Sequence, residues 1–591
     1  MRPLLVLAAL VLLSSPQLAF GLDTATRLVG PVRSWDAADL ERFNSEWVQV
    51  KFVEGSDVRL VNGRFTDDSG RDLSPVNTMI GRSHVAQIRT TFDIDRATLR
   101  AWKAIGEARS GAIGPDLSLW FNIRVAGGRP EVARLINELN SSPAVEIAHP
   151  IPIVEPAALP SGDKRIEPAA GGRVDRTPDF TDLQDYLYDP PIGLDAPAAW
   201  AIPGGRGELM KFIDVELCWT EDHEDFAFDH FFYEGGFTQN PGYETHGTAV
   251  LGEVIGQHNG YGINGFAPAA QYGVVAIDLD LYPDVADYFQ EALDHLDAGD
   301  VWLIELQMYP PNQTATPMEW LQVNYDVIWT SSWSRLVVCV EAGANGSQDL
   351  DDPIWGGIFD RNQRDSGAIM VAAGTPTGRV AESFTNYGSR MDVHAWGSQI
   401  VTTAYGDLYD GGTLQTRYTE QFGGTSGASP MIVGSGLCLQ GIAKGHLGYA
   451  LMPELLRSIL HDTGIPHLDP IREIGPRPDL AAAAQEVLMM SPSAYLTIES
   501  LEVDDDNSGQ SQGNDNGIPE FSETIELTIT LKNLGQLDGL DVQGQLLSND
   551  EFVTVMVSGA SFGTLAAGGG TGSNAVPFVF SISSTVPDQH Q

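Results

Sequence analysis

The chain has 591 residues, of which 34 are Lys or Arg and 79 are Asp or Glu, giving a formal charge of −45. Such a field repels nucleic acid and anionic membranes and counts against both as partners. Three cysteines, Cys218, Cys339 and Cys438, exclude a disulfide framework, and the length exceeds what one hydrophobic core serves, so several folded units are expected.

Residues 1–21 carry a basic Arg2, the apolar run LLVLAALVLL and the small-x-small ending Ala19-Phe20-Gly21. This reads as a secretory signal peptide, since the apolar run is too short to span a bilayer. No later segment is long and apolar enough to cross, so a secreted, extracytoplasmic protein without a membrane span is expected. Residues 22–156 alternate strand and helix signals: WVQVKFV, RATLRAWKAIGEA, LSLWFNIRV, PEVARLINELN and VEIAHPIPIVEP. Val132, Leu135, Ile136 and Leu139 share one helical face, which predicts a compact α+β unit. Residues 157–177, with ALPSGDKRIEPAAGG, are polar and rich in Pro and Gly. They read as a linker in which proteolytic processing is expected.

Residues 178–490 alternate apolar runs with helical stretches: MKFIDV then HGTAVLGEVIG, QYGVVAID then VADYFQEALDHLD, with VWLIELQ, RLVVCVEA and AIMVAAG further on. The pattern predicts an α/β fold, a parallel sheet covered by helices, with ligands bound outside the carboxyl ends of the strands. Asp214 ends the run LMKFID, His246 opens a helix, Asn345 follows RLVVCVE, and Ser426 lies in GGTSGASP before a buried helix. A serine hydroxyl is a poor nucleophile and requires a histidine base oriented by a carboxylate. A helix N-terminus offers N–H groups to a developing negative charge, and an asparagine amide adds a second donor. No cysteine sits in a comparable glycine-rich, helix-opening context. The α/β-hydrolase elbow requires Gly two residues after the serine, where Ala428 stands.

DVELCW, HGTAV with GYGINGFAPAA behind it, AGANG and GGTSGASP, in that order, resemble the catalytic motifs of the subtilisin-like serine proteases, the subtilases. The resemblance implies Ser426 as nucleophile, His246 as general base and acid, Asp214 as orienting carboxylate and Asn345 as oxyanion donor. It implies a secreted endopeptidase acting on protein or peptide substrates without an organic cofactor. It also implies that residues 22–156 are a propeptide, an intramolecular folding aid and inhibitor whose tail lies in the cleft. Two departures stand out. The family pattern AAGN is AGAN here, exchanging Gly343 and Ala344 and predicting a shifted loop. The substrate-binding Ser-Leu-Gly corresponds to Glu305, Leu306 and Gln307, so the primary specificity pocket that these residues line with Gly343 is expected to change. The competing reading is a non-catalytic binding or adhesion protein that keeps the subtilase shell and acts through its C-terminal β-domain.

Residues 491–591 shift to Thr, Ser, Gly and Val, and Ile525, Leu527, Ile529 and Leu531 alternate with polar residues. With DVQGQLL, FVTVMV and PFVFSI this predicts an immunoglobulin-like β-sandwich, with about five strands legible where the fold wants about seven, as though the domain were incomplete at Gln591. At its head, DDDNSGQSQGNDNGIPEFSE suits a structural calcium loop with Asp504, Asp506, Asn514, Asp515 and Glu523 as ligands; an acidic linker is the alternative.

Overall fold

The computed structural model describes residues 9–12, 27–30, 32–157, 177–220, 222–227, 231–234, 243–278, 284–311, 313–548, 550 and 552–586. The chain forms two compact units, one of residues 1–151, 447–449 and 492–591, the other of residues 152–446 and 450–491. Of the expected leader only Ala9–Leu12 is described, as a strand antiparallel to Gly544–Leu547.

In the first unit, β1 (Phe43–Phe52), β2 (Val85–Thr90), β3 (Trp120–Val125) and β4 (Val145–Pro152) form a sheet in the order β2-β3-β1-β4. Three helices accompany it: α1 (Ser74–Arg82), α2 (Arg96–Ser110) and α3 (Arg129–Asn140). The predicted stripe of Val132, Leu135, Ile136 and Leu139 is fully buried, and α3 packs on β1. Asp95 caps α2 by accepting from Thr98 N, and Gly111 ends it at φ 67°.

The second unit begins with the short strand β5 (Glu155–Pro156). Its core is a parallel sheet of β6 (Lys211–Glu216), β7 (Phe231–Glu234), β8 (Gln271–Ala276), β9 (Val301–Ile304), β11 (Val338–Ala342), β12 (Ile369–Gly374) and β13 (Val393–Trp396), with β10 (Leu306–Gln307) just beyond β9. The order β7-β8-β6-β9-β11-β12-β13 puts β6 between β8 and β9, with Leu303 opposite Asp214 and Ile304 opposite Val215. The helices α4 (Glu244–Ile255) and α5 (Thr425–Leu447) deliver two of the expected site residues. Outside β7, nearly every residue of these strands and helices is buried, as continuous apolar runs require in a sheet covered on both faces.

The C-terminal part of the first unit has seven strands: β14 (Leu496–Asp504), β15 (Thr524–Asn533), β16 (Gly539–Leu547), β17 (Val553–Val557), β18 (Gly559–Leu565), β19 (Gly570–Ser573) and β20 (Phe578–Ile582). Two antiparallel sheets, β14-β15-β20-β17 with β19 beside β15 and β16-β18, close on one core that includes Ile525, Ile529, Leu531, Val542, Leu546, Phe562, Phe578 and Phe580. Seven strands replace the roughly five that were legible. Both β18 and β19 draw on Gly, Ala, Ser and Thr, whose weak strand preference is overridden by cross-strand pairing.

Candidate active site

Strand β6 carries two carboxyl groups on one face, Asp214 and Glu216, because side chains alternate with a period of two. The apolar run was expected to end at Asp214, but the strand continues through Val215, and Glu216 is its last residue. On the first turn of α4, His246 Nδ1 hydrogen-bonds Glu216 Oε1. Asp214 Oδ2 instead accepts from Trp219 Nε1 at 2.7 Å. The expected pairing of His246 with Asp214 is thus corrected: Glu216 meets the imidazole. The tight docking of α4 decides this, since a Cβ on Gly247 would lie 2.5 Å from both Cys218 O and Trp219 Cδ1. Only glycine lets the helix start come down on the segment that follows Glu216. The sequence signal was a second carboxyl two residues on, in the same DVE triplet.

Ser426 lies on the first turn of α5, just after the strand Arg417–Phe422. The Phe422 ring meets His246 edge-on at 5.5 Å, which brings the serine motif beside the imidazole. Ser426 is fully buried and its Oγ makes no hydrogen bond. Asn345 is held by its amide oxygen, which accepts from Thr425 N at 3.0 Å and Thr425 Oγ1 at 3.1 Å. A backbone N–H can only donate, so the oxygen faces Thr425 and Nδ2 points into the cleft.

The exchange of Gly343 and Ala344 does not move this amide away. A Cβ at position 343 would sit 2.7 Å from Val371 O, so glycine is needed for close passage, while Ala344 takes the left-handed turn at φ 65°. An alanine there costs about 1–2 kcal/mol of backbone strain. Asn386 fixes the loop by donating from Nδ2 to Gly343 O at 2.8 Å and accepting from Gln348 N at 2.8 Å.

The cleft is filled by the chain's own segment. β5 pairs antiparallel with β10, Pro156 opposite Leu306 and Glu155 opposite Gln307. Ala157 N donates to Glu305 O at 3.1 Å. The Ala157 carbonyl accepts from Asn345 Nδ2 at 2.5 Å and from Ser426 N at 3.4 Å. Of the expected substrate-binding residues, Glu305 therefore acts through its carbonyl and Leu306 and Gln307 through strand pairing. Gln307 does more: its Oε1 accepts from Asn345 N at 3.1 Å and its Nε2 donates to Tyr309 Oη at 3.2 Å. Gly343 shapes the Asn345 loop, its N–H donating to Val371 O.

No family model matches the chain. It is 27% identical over 340 residues to a thermophilic serine proteinase of Bacillus sp. strain AK1, covering 56% of this chain and 72% of that protein. It is 23% identical over 283 residues to an intracellular serine protease of Paenibacillus polymyxa, covering 46% and 78%. The chain is similar to subtilisin-like serine proteases. Among solved structures, fervidolysin from Fervidobacterium pennivorans, described as a keratinolytic enzyme related to subtilisin, is 14% identical over 95% of this chain and 98% of its own, with a TM-score of 0.47.

At this site, burial pushes the carboxyls of both Asp214 and Glu216 well above the usual range, and Glu216 adds to the effect on Asp214 while the Trp219 hydrogen bond and His246 oppose it. The three cysteines are buried, and none is in a disulfide among the described residues. The five expected calcium ligands lie in a loop held by its own hydrogen bonds. Asp504 Oδ1 accepts from Asp506 N, Asp506 Oδ1 from Ser508 N and Glu523 Oε2 from Glu520 N; Asn514 Nδ2 donates to Glu520 Oε2, and Asp515 turns at φ 59°. The buried Asp505 organises this loop, accepting from Gly517 N and Asn516 N. Among the described residues no group of three or more His, Cys, Asp or Glu is disposed to hold a metal ion. Nor is any helix among them long and apolar enough to cross a membrane.

Proposed function

We propose that this chain is a subtilase, a secreted serine endopeptidase whose own chain is its first substrate, cut between Ala157 and Ala158. The observation that carries the reading is the Ala157 carbonyl, which accepts from Asn345 Nδ2 and Ser426 N while the preceding residues pair as a strand. Two N–H donors on one carbonyl at a helix N-terminus form an oxyanion hole, and the atom they hold is the one a nucleophile attacks. Ser426 Oγ adds to that carbon. His246 takes the serine proton and returns it to the leaving amine of Ala158, while Glu216 holds Nδ1–H and stabilises the imidazolium. Water then releases Ala157 by the same steps in reverse. The new carboxyl end of residues 22–157 stays aligned in the cleft, which makes the N-terminal segment an inhibitor until it leaves. Substrates in trans are polypeptides that present a small residue such as Ala157 after an extended pair like Glu155-Pro156.

Purified wild type and Ser426→Ala, compared by intact mass and N-terminal sequencing, test this. The expected result is a wild-type product beginning at Ala158, an intact bond in Ser426→Ala, and labelling of wild type alone by a fluorophosphonate. Equal masses, with Leu22 the sole start in both proteins and no labelling, would favour the non-catalytic binding protein.

A further inference from the structure

Glu305 follows the last residue of β9 and precedes β10, so its backbone borders the cleft while its side chain turns into the protein. The side chain is fully buried, and neither carboxyl oxygen has a hydrogen-bond partner. From α5, the hydroxyls of Ser426 and Ser429 lie beside it and stabilise its charge, without meeting it in hydrogen-bond geometry; Ser429 Oγ donates to Thr425 O. The register that sets Ile304 against Val215 places Glu305 next to Glu216, with Asp214 on the same face of β6. From α4 come His246 and Glu253, seven residues apart and on one face, and the Glu253 carboxyl is buried without a partner near Glu305; Tyr186 lies beyond Glu253. On the other side, β11 carries Glu341, whose carboxyl faces Glu319 and Arg390, and in β5 Glu155 is taken by Tyr309.

Four carboxyl groups, Asp214, Glu216, Glu253 and Glu305, therefore share the interior behind Ser426 with one imidazole. Of these four, only Glu216 forms an ion pair among the described residues, with His246. Buried like charges at this spacing cannot all ionise. The negative charge belongs on Glu216, which holds the imidazole N–H of His246 and answers the imidazolium once it forms, and the others hold protons. For Glu305 burial is the leading cause, followed by Asp214 and Glu216, and it pushes the carboxyl well above the usual range.

Resting on the protease reading, we propose that Glu305 is a positioning residue that gates the nucleophile: Ser426 acylates only while the Glu305 carboxyl carries its proton. An ionised Glu305 would set a negative charge beside an oxygen that must itself become negative and beside the oxyanion that forms next. A neutral Glu305 leaves that charge unopposed by its neighbour and free to be stabilised by Asn345 and the α5 terminus. No proton is transferred to or from Glu305 during the reaction. The sign follows: Glu305 is neutral at low pH and ionises as pH rises, so acylation declines on the alkaline side.

The test is the second-order rate of fluorophosphonate labelling of purified, self-processed protein, freed of its N-terminal segment, across pH 5 to 10, for wild type, Glu305→Gln and Glu305→Ser, each checked for a cooperative melt. Wild type is expected to lose labelling about tenfold per pH unit above its alkaline midpoint, while both uncharged variants stay level across that range. Should Glu305→Gln fail to melt cooperatively, Glu305→Ser carries the comparison, and the wild-type profile is informative by itself. A wild-type profile with no alkaline fall, or an identical fall in a folded variant, overturns the gate and leaves the protease reading intact. No labelling of folded wild type at any pH overturns both.

Discussion

Replacing Glu216 with Gln keeps the shape of the side chain that meets His246 and removes its charge. When His246 accepts the serine proton, the imidazolium and the Glu216 carboxylate are in hydrogen-bond contact, and two unit charges about 4 Å apart at an effective dielectric of about 20 attract by about 4 kcal/mol. Losing it slows acylation by about 10³. The amide also presents an N–H to Nδ1 where a carboxylate accepted one, which forces the wrong tautomer and brings the loss to about 10⁴. Asp214→Asn should behave differently. Its oxygen still accepts from Trp219 Nε1 and it holds no hydrogen bond to the imidazole, so the loss should stay within about tenfold. Because a crippled enzyme does not process itself efficiently, the assay is the first-order rate of cleavage at Ala157–Ala158 after dilution from denaturant, read on gels. A loss of about 10³ in Asp214→Asn with a nearly normal Glu216→Gln would refute the reasoning and restore Asp214 to the role first expected of it.

Asn345→Ala removes one of the two donors to the Ala157 carbonyl and should cost about 10²–10³ in the same rate constant, and because it strips buried Thr425 N and Oγ1 of their acceptor the melting temperature should also fall. Gly343→Ala forces a Cβ to 2.7 Å from Val371 O and 2.9 Å from Met391 Cε, so urea unfolding should show a loss of about 1–3 kcal/mol. Arg457 grips Asp365 with two nitrogens, at 2.8 and 2.5 Å. Burial opposes ionisation of Asp365, but the Arg457 hydrogen bonds and charge outweigh it and bring the carboxyl from 3.8 down to about 2. A depressed carboxyl stabilises the fold above its unfolded pKa and loses that contribution as pH falls through the folded one. Melting temperatures should therefore drop for wild type between pH 3.8 and about 2, and drop less for Asp365→Asn.

Three of the four proposed site positions were legible as motifs because each is marked by a few neighbouring residues. Glycines crowd Ser426 before a buried helix, a histidine opens a glycine-bearing helix, and an amide ends an apolar strand. The alternation of apolar strands and helices likewise sufficed for the parallel sheet, since fully buried strands are continuous apolar runs. What local pattern leaves open is a choice among equivalents. Asp214 and Glu216 lie on one face of one strand, and periodicity treats them alike; the docking of α4, at the distance that Gly247 permits, joins His246 to a carboxyl thirty residues away in sequence. The Ala157 carbonyl reached Asn345 and Ser426 only through folding, across separations of 188 and 269 residues, and the partnerless Glu305 became visible only once β6, β9, α4 and α5 had closed around it. Sequence alone determined which functional groups are present and on which kinds of element. Tertiary structure decided which of them meet, because hydrogen bonds and charge interactions act over a few ångströms that chain spacing does not measure.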